Sequence, residues 1–126
     1  MLAERKAYPA NLPVFLHVTE DPERDWELLR PHAIYEMQEY QSWGLTGASS
    51  YGDMELSDET LRAANAVLTP EQMLKTVLGF QRDFPHCTMS FYTLLAGMDP
   101  EMAQSSLELI AQRVLPALHK ARQSVA

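Results

Sequence analysis

Four residues stand where side-chain chemistry would matter. His17 lies near the carboxyl end of the run Val14–Thr19, and α/β folds gather ligands at the carboxyl ends of their strands. An imidazole there can hydrogen-bond a cofactor or substrate, or it can be a core or edge histidine tied to a backbone carbonyl. Thr19 and Thr93 sit at comparable strand ends. Each hydroxyl either faces a pocket or serves as a capping or β-forming threonine. Tyr51 falls in a loop rich in glycine and serine, and loops carry function more often than the elements they join. The four histidines, His17, His32, His86 and His119, have spacings that do not suggest metal ligands, so no metal site is expected. Cys87 opens an expected buried strand, where packing is its expected role. Trp26, Tyr35, Tyr40, Trp43 and Tyr51 form an aromatic tract that reads as core or interface rather than as a flavin box. There is no Gly-x-Gly-x-x-Gly, P-loop, Gly-x-Ser-x-Gly or His-Glu-x-x-His.

The elements that must position these residues follow from pattern. Val14–Thr19 reads as a strand. Cys87–Leu95, rich in β-formers and almost uncharged, reads as a second strand buried on both faces. Asp21-Pro22-Glu23, Thr69-Pro70-Glu71 and Asp99-Pro100-Glu101 each read as a helix start. The acceptor side chain caps free N–H groups, proline suits the first helical position, and glutamate suits the positive end of the helix. Thr69 and Gln72 complete a capping box.

Trp26, Leu29, Ala33, Met37 and Tyr40 recur at helical spacing. Pro31 predicts a kink or a fresh first turn, and Gly44 a helix end. Leu45–Glu55 reads as loop and Ser57–Ala66 as a short helix. Met73, Leu74, Val77, Leu78 and Phe84 form the next apolar face. The last helix is expected to turn Met102, Leu107, Ile110, Val114 and Leu118 inward and to kink at Pro116. Strands alternating with helices predict a parallel sheet with right-handed crossovers.

Composition sets the wider limits. A chain of 126 residues, 46% apolar and 21% charged, makes one globular domain spanning 1–126. Ten basic against seventeen acidic residues leave a net charge of −7. Nucleic acid and anionic membranes need clustered basic side chains, so neither is expected as a partner. One cysteine allows no intrachain disulfide and predicts a reducing, cytoplasmic setting. Met1–Ala10 has no apolar core and no apolar run approaches ~18 residues, so neither a signal peptide nor a membrane span is expected.

Several stretches together resemble a known family. Val14–Trp26 runs Val-Phe-Leu-His-Val-Thr-Glu-Asp-Pro-Glu-Arg-Asp-Trp, followed by Pro31-His32 and Tyr40. Val67–Gln72 reads Val-Leu-Thr-Pro-Glu-Gln. Leu95–Glu101 reads Leu-Ala-Gly-Met-Asp-Pro-Glu, followed by Ser106–Leu109 and Val114-Leu115-Pro116-Ala117-Leu118. In order and spacing this resembles the C-terminal part of the luciferase-like flavin-dependent monooxygenases, whose fold is a (β/α)8 barrel. The resemblance implies the last βα units of such a barrel and a cofactor that is FMN or a deazaflavin of the F420 type. It further implies an oxidoreductase, adding oxygen through reduced flavin to a small organic substrate. It implies that Thr19, Tyr51 and Thr93 lie near the mouth where flavin and substrate would be, and with His17 at its strand end these are the candidate cofactor-binding residues. None of the segments that hold the flavin in the family has a counterpart here. The alternative is a non-catalytic α/β protein that oligomerises or binds a partner.

Two parallel strands cannot close a barrel. Their edges recruit further strands, and helices are expected on one sheet face only. The other face must then meet something, which predicts a partial barrel segment completed in a homo-oligomer, most simply a two-fold dimer.

Overall fold

The computed structural model describes residues 13–43 and 57–125. Gly44 and Tyr51, and with them the expected helix end and loop site, lie outside the described residues. The fold is mixed α/β, mostly helical, with two parallel strands in one sheet. Strand β1 is Phe15–Val18 and helix α1 is Pro22–Ser42. Helix α2 is Asp58–Ala64, strand β2 is Asn65–Leu68 and helix α3 is Pro70–Asp83. Helix α4, Pro100–Leu109, continues through a π-helical turn, Ile110–Val114, into helix α5, Leu115–Val125. None of the described helices is long and apolar enough to cross a membrane.

All three proline-led helix starts form as expected. Asp21 accepts from the Arg24 N–H at 3.2 Å and Asp99 from the Glu101 N–H at 2.9 Å. Thr69 and Gln72 close both bonds of the capping box. α1 runs unbroken through Pro31, an exposed position, and ends where the Trp43 N–H bonds the Glu39 carbonyl at 3.1 Å. Pro116 has no N–H to give, and its ring would meet the carbonyl four residues back in a regular helix. The chain answers with the wide turn just before it, in which the Leu115 N–H reaches the Ile110 carbonyl five residues back.

The second strand is not where β-propensity put it. Cys87–Leu95 makes a single parallel bridge, Tyr92 with Phe15. There the Leu16 N–H bonds the Tyr92 carbonyl at 3.1 Å and the Tyr92 N–H bonds the Val14 carbonyl at 2.9 Å. His86, Cys87, Thr88 and Ser90 are exposed, while Met89 and Phe91 pack against one core cluster and Leu95 is buried in the other, so the stretch lies along the core without joining the ladder and Cys87 does not pack in the core. The continuous ladder belongs to β2, which pairs with β1 from Phe15↔Asn65 to Val18↔Leu68. The short helix expected over Ser57–Ala66 stops at Ala64. There the Asn65 side-chain amide donates to the Leu61 carbonyl at 2.9 Å, closing the helix end and releasing the backbone into the strand.

Helices cover both faces of the sheet, not one as expected. Phe15 packs with Trp26, Leu29, Ala33 and Met37 of α1 and Leu61 of α2. Leu16 and Val18, pointing the other way, pack with Met73 of α3 and with Ile110 and Val114. The path of the chain explains this. It moves outward from β1 to β2, then returns across β1 to Tyr92. Reversing the winding direction puts successive right-handed crossovers on opposite faces. Within the last helical segment Leu107 is exposed, and the buried position beside it is Ser106. Gly97 has φ +79°, and a Cβ there would lie 3.3 Å from the His32 ring, so the loop before α4 needs glycine.

Candidate functional site

The candidate site is a cleft of ≈ 340 Å³ at the carboxyl end of β1, between the first turns of α1 and the middle of α4. β1 is the central strand, with β2 on one side and the Tyr92 bridge on the other. The cleft therefore opens where the sheet changes winding direction, the place at which open α/β sheets bind ligands.

The local sequence builds its polar wall. Thr19 ends β1, its N–H bonded to the Leu68 carbonyl at 2.9 Å. Its hydroxyl accepts from the Asp21 N–H at 3.2 Å, which folds the chain directly into the α1 cap. One turn into α1, Asp25 comes back against the strand end. Its Oδ2 lies 2.8 Å from His17 Nε2, and its Oδ1 accepts from Arg24 Nε at 3.2 Å. His17 and Asp25 are both buried, with side chains 2% and 9% exposed. His17 lies parallel to the Phe15 ring on the same strand face, centroids 6.5 Å apart.

Burial pushes the Asp25 carboxyl upward, but hydrogen bonds from His17, Thr19 and Arg24 outweigh it and hold the group below the usual carboxylate range. Asp25 is therefore a carboxylate, an acceptor only. His17 Nε2 therefore carries a hydrogen toward the carboxylate, and the other ring nitrogen is Nδ1. That Nδ1 is buried and has no hydrogen-bond partner.

The rest of the lining joins apolar Leu28 of α1, Met102 and Leu109 of α4 with Ser105, Arg24 and Glu20. A second observation ties α4 to this end of the sheet. The Val18 N–H points toward the side where the Tyr92 segment has already diverged, and it bonds Ser106 Oγ at 2.8 Å. A serine hydroxyl thus replaces a missing strand. Arg113, beyond α4, pairs with Glu20 and Glu71, joining the cleft rim to the start of α3.

Of the residues singled out by sequence, His17 and Thr19 come together in this cleft. Thr93 is half-buried beside the Tyr92 bridge and is not part of the cleft wall. Sequence reasoning missed Asp25 and Ser106. Both carried a signal: Asp25 lies four residues before Leu29, and Ser106 lies four before Ile110. Each polar residue therefore falls on an apolar helical stripe. Among the described residues, no group of three or more His, Cys, Asp or Glu side chains could hold a metal ion.

The chain has no match among family models, curated proteins or solved structures.

Proposed function

We propose that this chain is a segment of a luciferase-like flavin- or deazaflavin-dependent oxidoreductase acting on a small organic substrate, and that the β1 cleft is its share of the site. The observation that carries the reading is the convergence of His17, Thr19 and Asp25 on a cleft at the carboxyl end of the central parallel strand. The order of the sequence motifs from Val14 to Leu118 supports it.

The cleft fits FMN or a deazaflavin only in part. Its apolar lining of Leu28, Met102 and Leu109 is of a kind that packs against a flat ring. The phosphate does not fit. The first turn of α1, where an anion would be welcome, is occupied by the Asp21 cap and flanked by Glu20 and Glu23. The phosphate must then be held by another chain or another copy. A barrel completed in that way also requires one helical layer to leave the sheet, because one strand face would line the interior.

Isotope-edited NMR titration of the isolated chain tests this. With FMN or a deazaflavin, amide shifts confined to His17–Asp25 and Met102–Leu109 are expected, with a Kd of about 1 mM or weaker. The proposal fails if those amides do not move at cofactor saturation of the solution. Tight one-to-one binding to a monomer would place the site elsewhere.

A second reading, a non-catalytic α/β protein that forms a homodimer or binds a partner, is favoured by β2. Asn65–Leu68 pairs on one side only among the described residues, and a free edge invites strand addition. Light scattering at micromolar concentration, with melts repeated across a range of concentration, separates a dimer from a monomer.

A further inference from the structure

We infer that the β1 cleft selects a ligand that is apolar over most of its surface and presents one hydrogen-bond donor, a hydroxyl or an N–H, to His17 Nδ1. This rests on the cleft being the site, as proposed above, and adds the chemistry of what it takes.

Three observations lead there. His17 forms part of the cleft wall, and its side chain is 2% exposed. Its Nδ1 is the buried side-chain polar atom without a partner among the described residues. Buried polar groups in folded proteins are almost always paired, so an orphan atom on a residue that lines the cleft marks where a partner from outside the chain would bind, with the ring or its neighbours giving way to admit it.

The sign of that partner follows from Asp25. As a carboxylate it can only accept, so Nε2 is the nitrogen that carries hydrogen. In the neutral ring Nδ1 then offers a lone pair, which only a donor can satisfy. A ketone, ether or carboxylate would bring a second lone pair against the first. The remaining contacts favour an apolar body, because Leu28, Met102 and Leu109 line the cleft together with His17. A site that leaves its own polar atom unpaired against the wrong analogue discriminates strongly.

A matched pair of probes reads this directly: cyclohexanol, a donor, and cyclohexanone, an acceptor of nearly the same shape. Amide shifts of His17–Asp25 and Met102–Leu109 report binding, and the ring 15N shifts of His17 report its tautomer. The expected result is an Nε2–H tautomer in the free chain, with cyclohexanol binding at least about tenfold more tightly than cyclohexanone. Alcohol binding should also shift the Nδ1 resonance.

Asp25→Asn supplies the reverse case. Its amide can donate to Nε2 as well as accept from it; where the ring 15N shifts show the proton moved to Nδ1, the preference should turn toward the ketone, and where they do not, it should stay with the alcohol. If Asp25→Asn does not fold, the wild-type tautomer and probe preference still decide. Equal affinity for the two probes, or an Nδ1–H tautomer in the wild type, overturns the inference. If flavin shifts the cleft amides while the probes bind equally, the donor rule alone falls. If neither flavin nor alcohol touches the cleft, both readings fall.

Discussion

At the scale of single residues, the chemistry of this molecule concentrates in His17 and Asp25. The two are eight positions apart in sequence and in hydrogen-bond contact at 2.8 Å. Asp25 links folding to pH in a defined sense. Its folded value lies below the ordinary 3.8 because hydrogen bonds to the carboxylate outweigh its burial. The native state therefore favours the ionised form. The stabilisation is complete above the ordinary value and disappears as the pH falls below it, through the lower folded value. Thermal melts from about pH 5 down to about pH 2 should show wild-type stability falling over this range, with Asp25→Asn following a shallower acid limb. An identical acid limb in the variant would mean that other carboxylates carry the effect. Asp58 and Glu23 are the ones to examine next, since hydrogen bonds to Asp58 from Trp26 and to Glu23 from Arg62 also lower their values.

At the scale of elements, the unusual feature is a sheet whose third member is one residue long. β1 needs partners on both edges, and Tyr92 satisfies only Val14 and Leu16. Val18 is left to Ser106, which is fully buried in α4. Ser106→Ala should leave a buried N–H unpaired and lower stability by about 1–3 kcal/mol, measured by urea denaturation. A loss under about 0.5 kcal/mol, the scatter of ordinary surface substitutions, would show that the amide finds another partner. The same helix explains why its apolar stripe was only partly legible. Ile110, Val114 and Leu118 are buried as their spacing predicts. Leu107 lies at the edge of the arc set by Ala103, Ser106 and Ile110 and is exposed, the small Ser106 taking the buried position.

At the scale of the whole molecule, two apolar clusters share β1. Phe15 belongs to one, with α1 and α2; Leu16 and Val18 belong to the other, with α3 and the α4–α5 segment. Neither layer can lose its contacts without exposing the strand that holds the other. Tryptophan fluorescence, dominated on the first face by the buried Trp26, and far-ultraviolet circular dichroism should therefore report one coincident transition. Leu29→Ala and Met73→Ala, one on each face and both buried, should each cost about 2–5 kcal/mol and move both probes together. Separate transitions would mean that the layers unfold independently. The covering of both faces also changes the basis for assembly. An open apolar face no longer argues for a dimer, and among the described residues β2 is paired on one side only.

What the sequence by itself determined was local. Helix starts at Pro22, Pro70 and Pro100 could be read because an acceptor, a proline and an acidic residue act within one turn, whatever the rest of the chain does. The stripe of Trp26, Leu29, Ala33 and Met37, and the first strand, followed from period and β-propensity in the same way. The tertiary structure decided which stretch pairs with β1. Cys87–Leu95 has the stronger β-forming composition, and of the strong β-formers Asn65–Leu68 holds only Val67, yet the ladder is won by the segment that the preceding helix delivers in register. α2 delivers Asn65 directly, whereas the chain after α3 reaches the sheet only at Tyr92. The tertiary structure also decided the site. His17 and Thr19 were visible as residues at a strand end, but their partner Asp25 is defined by the turn that folds α1 back on β1. Only three-dimensional proximity makes an ordinary helix-start acid into the group that sets the proton on a buried histidine.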